Sequence, residues 1–252
     1  MITGIQLSSI KAYMQTEAEA RRSLGRLAEM GYRAAQIQWT GREVTPAALA
    51  AALKESGMYA VSVQDYTHAV LDDAEYYLRL ADACAFTDIT ISGIPAEELT
   101  PEGICRFADR IAPFHRQLMA EGRTLTFHPR WQELSDVEGR SVLARLMEAS
   151  DPALRVLPDV NHIVRAGLDA PAFVTSLAGR ISMLHAKDMT DENREKSHLT
   201  PVGQGCVDWA PILAAAGKAG VEYVFAEQES WDKDAFSCMK ESREYLCGII
   251  GG

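Results

Sequence analysis

A chain of 252 residues and 27.7 kDa can hold two small domains or one closed barrel of about 250 residues. With 47% hydrophobic and 24% charged residues it has material for a sizeable core, which excludes a disordered chain and a disulfide-stapled miniprotein. The excess of 35 acidic over 25 basic side chains, with no run of Lys and Arg, excludes a nucleic-acid binder and disfavours anionic membrane surfaces.

In chain order, short apolar runs alternate with amphipathic stretches. A strand at 4–7 leads to a helix at 17–30, a strand at 34–39 to a helix at 45–56, and a strand at 59–64 to a helix at 71–84. Strands at 88–92 and 124–128 precede helices at 101–121 and 139–150. Strands at 155–159, 181–185 and 222–227 precede helices at 170–177, 210–220 and 234–247. The runs are nearly continuously apolar, as strands buried on both faces require, and several helical stretches stop at glycine. Eight units of about 30 residues each predict an α/β fold, a single (β/α)8 TIM barrel over residues 1–252. An open doubly wound sheet is the alternative, but the first strand–helix turn, Leu7-Ser8-Ser9-Ile10, has no glycine-rich phosphate loop. The cysteines (Cys84, Cys105, Cys206, Cys238 and Cys247) lack CxxC spacing and read as buried small hydrophobes in a reducing compartment. No signal peptide or membrane span is evident, so a soluble, cytoplasmic protein is expected.

Functional groups of such barrels sit at the C-terminal ends of the strands. The fifth strand ends at His128 and continues to Arg130 and Glu133, and the sixth reaches Asp159 and His162. The seventh carries His185, Lys187 and Asp188, and the eighth Glu227 and Glu229. A lone His or Asp at a strand end usually caps or satisfies a neighbour. Four consecutive strands each bringing a carboxylate or imidazole to one rim need another explanation. Packed unpaired, these carboxylates repel, and a divalent cation removes that cost. The oxygen-rich donors favour Mn²⁺, with Mg²⁺, Co²⁺ and Zn²⁺ also compatible.

In these segments the chain resembles the xylose isomerase-like TIM-barrel superfamily, in its sugar phosphate isomerase/epimerase branch. Phe127-His128 through Glu133 is similar to that family's Tyr-His-Asn-His-x-x-Glu-Phe segment, and Asp159-x-x-His162 to the Asp-x-x-His of ketose 3-epimerases. His185-Ala186-Lys187-Asp188 is similar to its His-x-Lys-Asp, Gly203-Gln204-Gly205 with Asp208 to its Gly-x-Gly-x-x-Asp, and Glu227-Gln228-Glu229 to its Glu-Gln-Asp. The resemblance implies metal ligands Glu133, Asp159, His185 and Glu227, with Glu133 and Glu227 as the acid/base pair. It implies an isomerase or epimerase that removes a proton beside the carbonyl of a ketose or related polyol, through a metal-stabilised enediolate. Dehydration of a keto-inositol, as in the inosose dehydratases of the same superfamily, is the alternative outcome. Three positions depart from the family pattern: Arg130 replaces a common second His, Gln36 a common Glu, and Gln64 a common His.

His162 is expected to donate to a substrate oxygen or to orient Asp159, and Lys187 to stabilise an oxyanion or pair with Asp188 or Glu229. His128 is expected to orient the site rather than bind metal. Arg130 would meet a substrate carboxylate or phosphate, or pair with one of the clustered acids. Gln64, Trp131 and Trp231 complete the expected substrate contacts, with rim packing as the alternative for both tryptophans. The stretch 189–203 is long for a βα-loop and would cover substrate or form a surface loop. Gly203 and Gly205 would form a turn, with Asp208 capping the next helix. His68, His115 and His198 fit no constellation and read as structural or surface residues. A zinc-dependent apurinic endonuclease fits poorly with six His and no basic groove. An idle barrel acting as a binding partner leaves the acid–imidazole set unexplained. The expected partner is a small sugar or polyol, and a homo-oligomer stays open.

Overall fold

A computed structural model of the chain describes residues 1–191 and 197–251. Eight parallel strands form one curled sheet: β1 (Ile2–Gln6), β2 (Ala34–Ile37), β3 (Tyr59–Tyr66), β4 (Asp88–Ser92), β5 (Thr124–His128), β6 (Arg155–Val156), β7 (Met183–Ala186) and β8 (Tyr223–Ala226). Outside them run α1 (Glu17–Glu29), α2 (Pro46–Ser56), α3 (Ala74–Cys84), α4 (Pro101–Ala120), α5 (Val142–Ala149), α6 (Ala170–Ser176), α7 (Trp209–Ala219) and α8 (Ala235–Ile250). Strands adjacent in sequence are adjacent in the sheet, whose order runs from β6 down to β1 and on to β8 and β7. Its two ends meet. Val156 N donates to Arg180 O at 2.9 Å, His185 N donates to Pro158 O at 2.9 Å, and Asp159 forms a parallel bridge with His185. This is the TIM barrel that the alternation of runs predicts.

Local chemistry sets the element ends. Thr16 and Glu19 make a reciprocal capping box at α1, while Thr45, Thr100 and Ser141 cap α2, α4 and α5. Gly57 (φ 70°) and Gly220 (φ 94°) end α2 and α7 in the left-handed conformation. β6 is shorter than predicted because Pro158 has no N–H to continue the ladder. Asp208 stands before α7 but makes no capping bond, contrary to expectation. The turn is organised instead by buried Asp188, which accepts from Gly203 N (2.9 Å), Gly205 N (3.3 Å) and Trp209 Nε1 (2.9 Å). A Cβ on Gly205 would lie 2.1 Å from Asp188 Oδ1, so that glycine is required for the wrap.

Alternate residues of each strand face the barrel interior. Gln6, Gln36 and Ser62 share one register row and bond in series, Gln6 Nε2 to Gln36 Oε1 (2.6 Å) and Gln36 Nε2 to Ser62 Oγ (2.8 Å). Leu157, Met183 and Phe225 form a separate apolar cluster. Two residues further along, the same strands deliver Asp159, His185 and Glu227, and β5 delivers His128, two residues past Thr126.

The buried-cysteine expectation holds only for Cys238. Cys84 and Cys247 are half-buried, and Cys105 and Cys206 are exposed; all five are free thiols. Cys105 falls between the core-facing Ile104 and Phe107 of α4, off the apolar stripe. Among the described residues no helix is long and apolar enough to cross a membrane.

Deeper in the barrel, buried Asp88 accepts from Thr90 Oγ1 (2.9 Å) and Thr126 Oγ1 (2.6 Å). Burial outweighs these bonds and pushes its pKa up to about 6. A carboxyl whose folded pKa exceeds its unfolded value of about 4 stabilises the fold at low pH and loses that contribution as pH rises through the folded pKa. Asp88→Asn is therefore expected to gain stability over the parent between pH 4 and pH 8, by on the order of 3 kcal/mol. Urea unfolding at both pH values measures this; an unchanged difference would contradict it.

Candidate active site

Asp159 caps the one-turn helix Val160–Arg165. Its Oδ1 accepts from Asn161 N (2.8 Å) and His162 N (3.3 Å), which turns Oδ2 toward the barrel mouth. His128 Nε2 lies 3.7 Å from that oxygen. Ser92 Oγ lies 3.1 Å from His128 Nδ1 and 3.3 Å from the His128 carbonyl oxygen; with the hydroxyl proton given to the carbonyl, Nδ1–H donates to Oγ. Burial above all lowers the His128 pKa, and the neutral ring therefore presents the Nε2 lone pair. His185 Nε2 donates to Gln36 Oε1 at 2.5 Å, and its Nδ1 stands 2.8 Å from Glu227 Oε2.

Four buried atoms here have no hydrogen-bond partner: His128 Nε2, Asp159 Oδ2, His185 Nδ1 and, beside His185, Glu227 Oε2. One ligand atom each from His128, Asp159 and His185 lies within 4.8 Å of the other two. Opposed lone pairs repel, and a divalent cation between them reverses the sign of that interaction. Two imidazoles and a carboxylate, from His128, His185 and Asp159, are a fitting donor set for such an ion.

Lys187 is the positive charge within the cluster. Its Nζ lies 3.0 Å from Glu227 Oε1, 3.2 Å from Glu229 Oε2 and 3.3 Å from Asp159 Oδ2. Burial favours loss of its proton, but Glu227, Asp159 and Glu229 overcome this and hold its pKa well above the ordinary value. Burial pushes the Asp159 and Glu227 carboxyls up, yet Lys187 foremost holds both below the usual carboxylate range. Of the two expected pairings of Lys187, the one with Glu229 forms. His162 Nε2 sits 3.8 Å from Asp159 Oδ2. Burial, opposed by Asp159 and reinforced by Lys187, lowers its pKa to about 3, so the ring is neutral.

Glu133 stands apart from the other expected ligands. It is fully buried, and Oε1 accepts from Ile94 N (2.9 Å) and Arg130 Nη2 (2.9 Å), while Oε2 accepts from Arg130 N (2.9 Å). It lies beyond β5 in the one-turn helix Trp131–Leu134, where the strand alternation no longer applies. From the fifth strand it is His128, the last residue of β5, whose ring nitrogen comes close to Asp159 and His185. Arg130 takes the internal pairing, with Nη2 also donating to Ile94 O at 3.2 Å. Gln36, one of the departures from the family pattern, accepts from His185.

The other expected contacts are dispersed. Gln64 is buried and lines a 610 Å³ cavity with Trp39 and Asp65 at the ends of β2 and β3. Trp231 packs against the hydrophobic core with a buried, unpaired Nε1, and half-buried Trp131 opens the one-turn helix. A 950 Å³ cavity is lined by Tyr66, Ile94, Phe107 and Gln132, together with Ser92, the neighbour of His128, and Arg130. Asp188–Met189 pairs with Leu199–Thr200 within the long βα-loop, of which residues 192–196 lie outside those described. His128 and Gln36 are legible in hindsight from the period-two register, which aims both inward with His185.

An eight-stranded parallel barrel carrying a buried acid–imidazole cluster at its strand ends has the architecture of a barrel enzyme. The family profile described as xylose isomerase-like TIM barrel matches residues 24–247, and the chain belongs to that family. It is similar to an inosose dehydratase from Geobacillus kaustophilus, 28% identical over 132 residues that cover 45% of this chain and 43% of the relative. The chain spans about half the length of the curated relatives it matches. A sugar phosphate isomerase/epimerase from Parabacteroides distasonis superposes with a TM-score of 0.79 at 16% identity, covering 97% of this chain and 92% of that one. A xylose isomerase-like TIM barrel protein from Mycobacterium smegmatis, in complex with magnesium, gives 0.74 at 14% identity, covering 99% and 96%. At these identities the superpositions show the shared fold.

Proposed function

We propose that the chain is a divalent-metal-dependent isomerase or epimerase of a small ketose or related polyol, acting by proton transfer at a carbon beside a carbonyl. The observation that carries this reading is the convergence of buried ligand atoms from His128, Asp159 and His185, which, like Glu227 Oε2 beside them, have no hydrogen-bond partner. His128, Asp159, His185 and Glu227 would hold the metal, with Mn²⁺ the first choice for this mixed oxygen and nitrogen set. When bound, it supplies a Lewis acid that acidifies the C–H next to a carbonyl.

The protein's own groups supply the rest. Glu227, kept ionised by Lys187, is the proton acceptor. Lys187 balances Asp159 and Glu227 at rest and can donate to a substrate oxygen as negative charge develops. Neutral His162 offers a hydrogen bond to a substrate hydroxyl. Ser92 and Gln36 lock the tautomers of His128 and His185, so the acceptor atoms are in place before substrate arrives. In place of an acid/base role, Glu133 fixes Arg130 at the rim.

A single carboxylate suffices where the proton returns to a neighbouring carbon, as in isomerisation, or where a β-hydroxyl leaves. Dehydration is therefore a second reading, favoured by the similarity to inosose dehydratases. Incubation with ketoses and keto-inositols in D2O with Mn²⁺ tests both. Metal-dependent deuterium incorporation is expected, and loss of water from the product identifies the dehydratase. Absence of exchange across the panel by metal-loaded protein would sink the reading.

A further inference from the structure

A 230 Å³ cavity adjoins Lys187 and is lined by His162, Arg165, His198, Glu229 and Ser230. His162 and Arg165, three residues apart on the helix that Asp159 caps, are neighbours on its surface and both line this cavity. Two of its nitrogens are buried without a hydrogen-bond partner: His162 Nδ1 and Arg165 Nε. Among the described residues Arg165 has no carboxylate partner, whereas Glu229 is already paired with Lys187 at 3.2 Å. Among the described residues, the cavity therefore holds a guanidinium with no matching carboxylate.

Size narrows what can enter. Whole small-molecule sites occupy roughly 300–1,000 Å³. A space of 230 Å³ suits one functional group, with the remainder of the ligand lying over Lys187. A guanidinium fork matches the two oxygens of a carboxylate or phosphate, and the partnerless Arg165 Nε donor in a partly buried wall favours such an anion over a hydroxyl.

We propose that this cavity is an anion subsite and that the substrate is acidic: a keto sugar or polyol bearing a carboxylate or phosphate. The inference rests on the reading of the neighbouring cluster as the reacting centre. Lys187 joins the two, since it lines the cavity and contacts Asp159 and Glu227.

Calorimetric titration of the full chain in Mg²⁺ buffer tests this with three probes: D-gluconate, inorganic phosphate and neutral D-glucitol. At least one anion is expected to bind more tightly than glucitol, and Arg165→Gln to weaken that anion by about tenfold or more while leaving glucitol unchanged. Preference for gluconate assigns a sugar acid, and preference for phosphate a phosphorylated sugar. Arg165→Lys should recover part of the loss, and His198→Ala on another part of the wall should weaken the same anion. Circular dichroism melts confirm that the variants fold. Equal binding of the anion by parent and Arg165→Gln, or no preference over glucitol, overturns the subsite. Mn²⁺ affinity of the parent, measured alone, reports separately on the cluster. Failure there with the Arg165 effect intact removes the metal reading and leaves the subsite standing.

Discussion

Glu227→Gln is expected to lower deuterium incorporation into a bound ketose by at least about 10²-fold while the barrel stays folded. The carboxylate lies 3.0 Å from Lys187 Nζ and 2.8 Å from His185 Nδ1, at the end of β8 and inside the water-poor mouth. Glutamine keeps the side-chain volume, and its carbonyl oxygen can still accept from Lys187. Its amide would donate to the His185 lone pair, so a packing defect is not expected. What is lost is the proton acceptor. Proton NMR of the substrate in D2O, alongside a thermal melt, separates chemistry from folding. Full exchange by the variant would falsify the role assigned to Glu227.

The second large effect concerns the metal. His128→Ala is expected to lower Mn²⁺ affinity by about 10–100-fold or more, a loss at least as large as that from removing a group that merely orients a ligand. Glu133→Gln should leave Mn²⁺ affinity within about threefold, because its oxygens already accept from Ile94 N, Arg130 N and Arg130 Nη2. Titration of Mn²⁺ followed by electron paramagnetic resonance measures both without any substrate. The opposite ranking would return Glu133 to the ligand set and make His128 an orienting residue. The two variants therefore decide which residue the fifth strand contributes.

Much of the molecule is legible along the chain. The alternation of apolar runs with capped amphipathic stretches places all eight strands and their helices, because strand and helix periods are local properties of the residues. Period two also places His128, Asp159, His185 and Glu227 at the ends of neighbouring strands. Motif spacing is less informative for Glu133. It marks an acid near the mouth, but Arg130 three residues earlier reaches it within the same short turn and occupies it. Asp208 fails as a cap for a similar reason, since Asp188, twenty residues upstream, gathers the intervening amides.

Residue order and composition alone establish an acidic α/β barrel with a polar, metal-competent rim over its last four strands. They do so because hydrophobic period and strand-end chemistry depend on near neighbours. Which lone pairs oppose one another is settled by closure of the sheet, where β6 meets β7 and Asp159 comes beside His185. Closure also sets Gln36 against His185 across 149 residues of sequence. Tautomer, charge and the unmatched guanidinium of Arg165 follow from those distant contacts, and no local pattern in the chain encodes them.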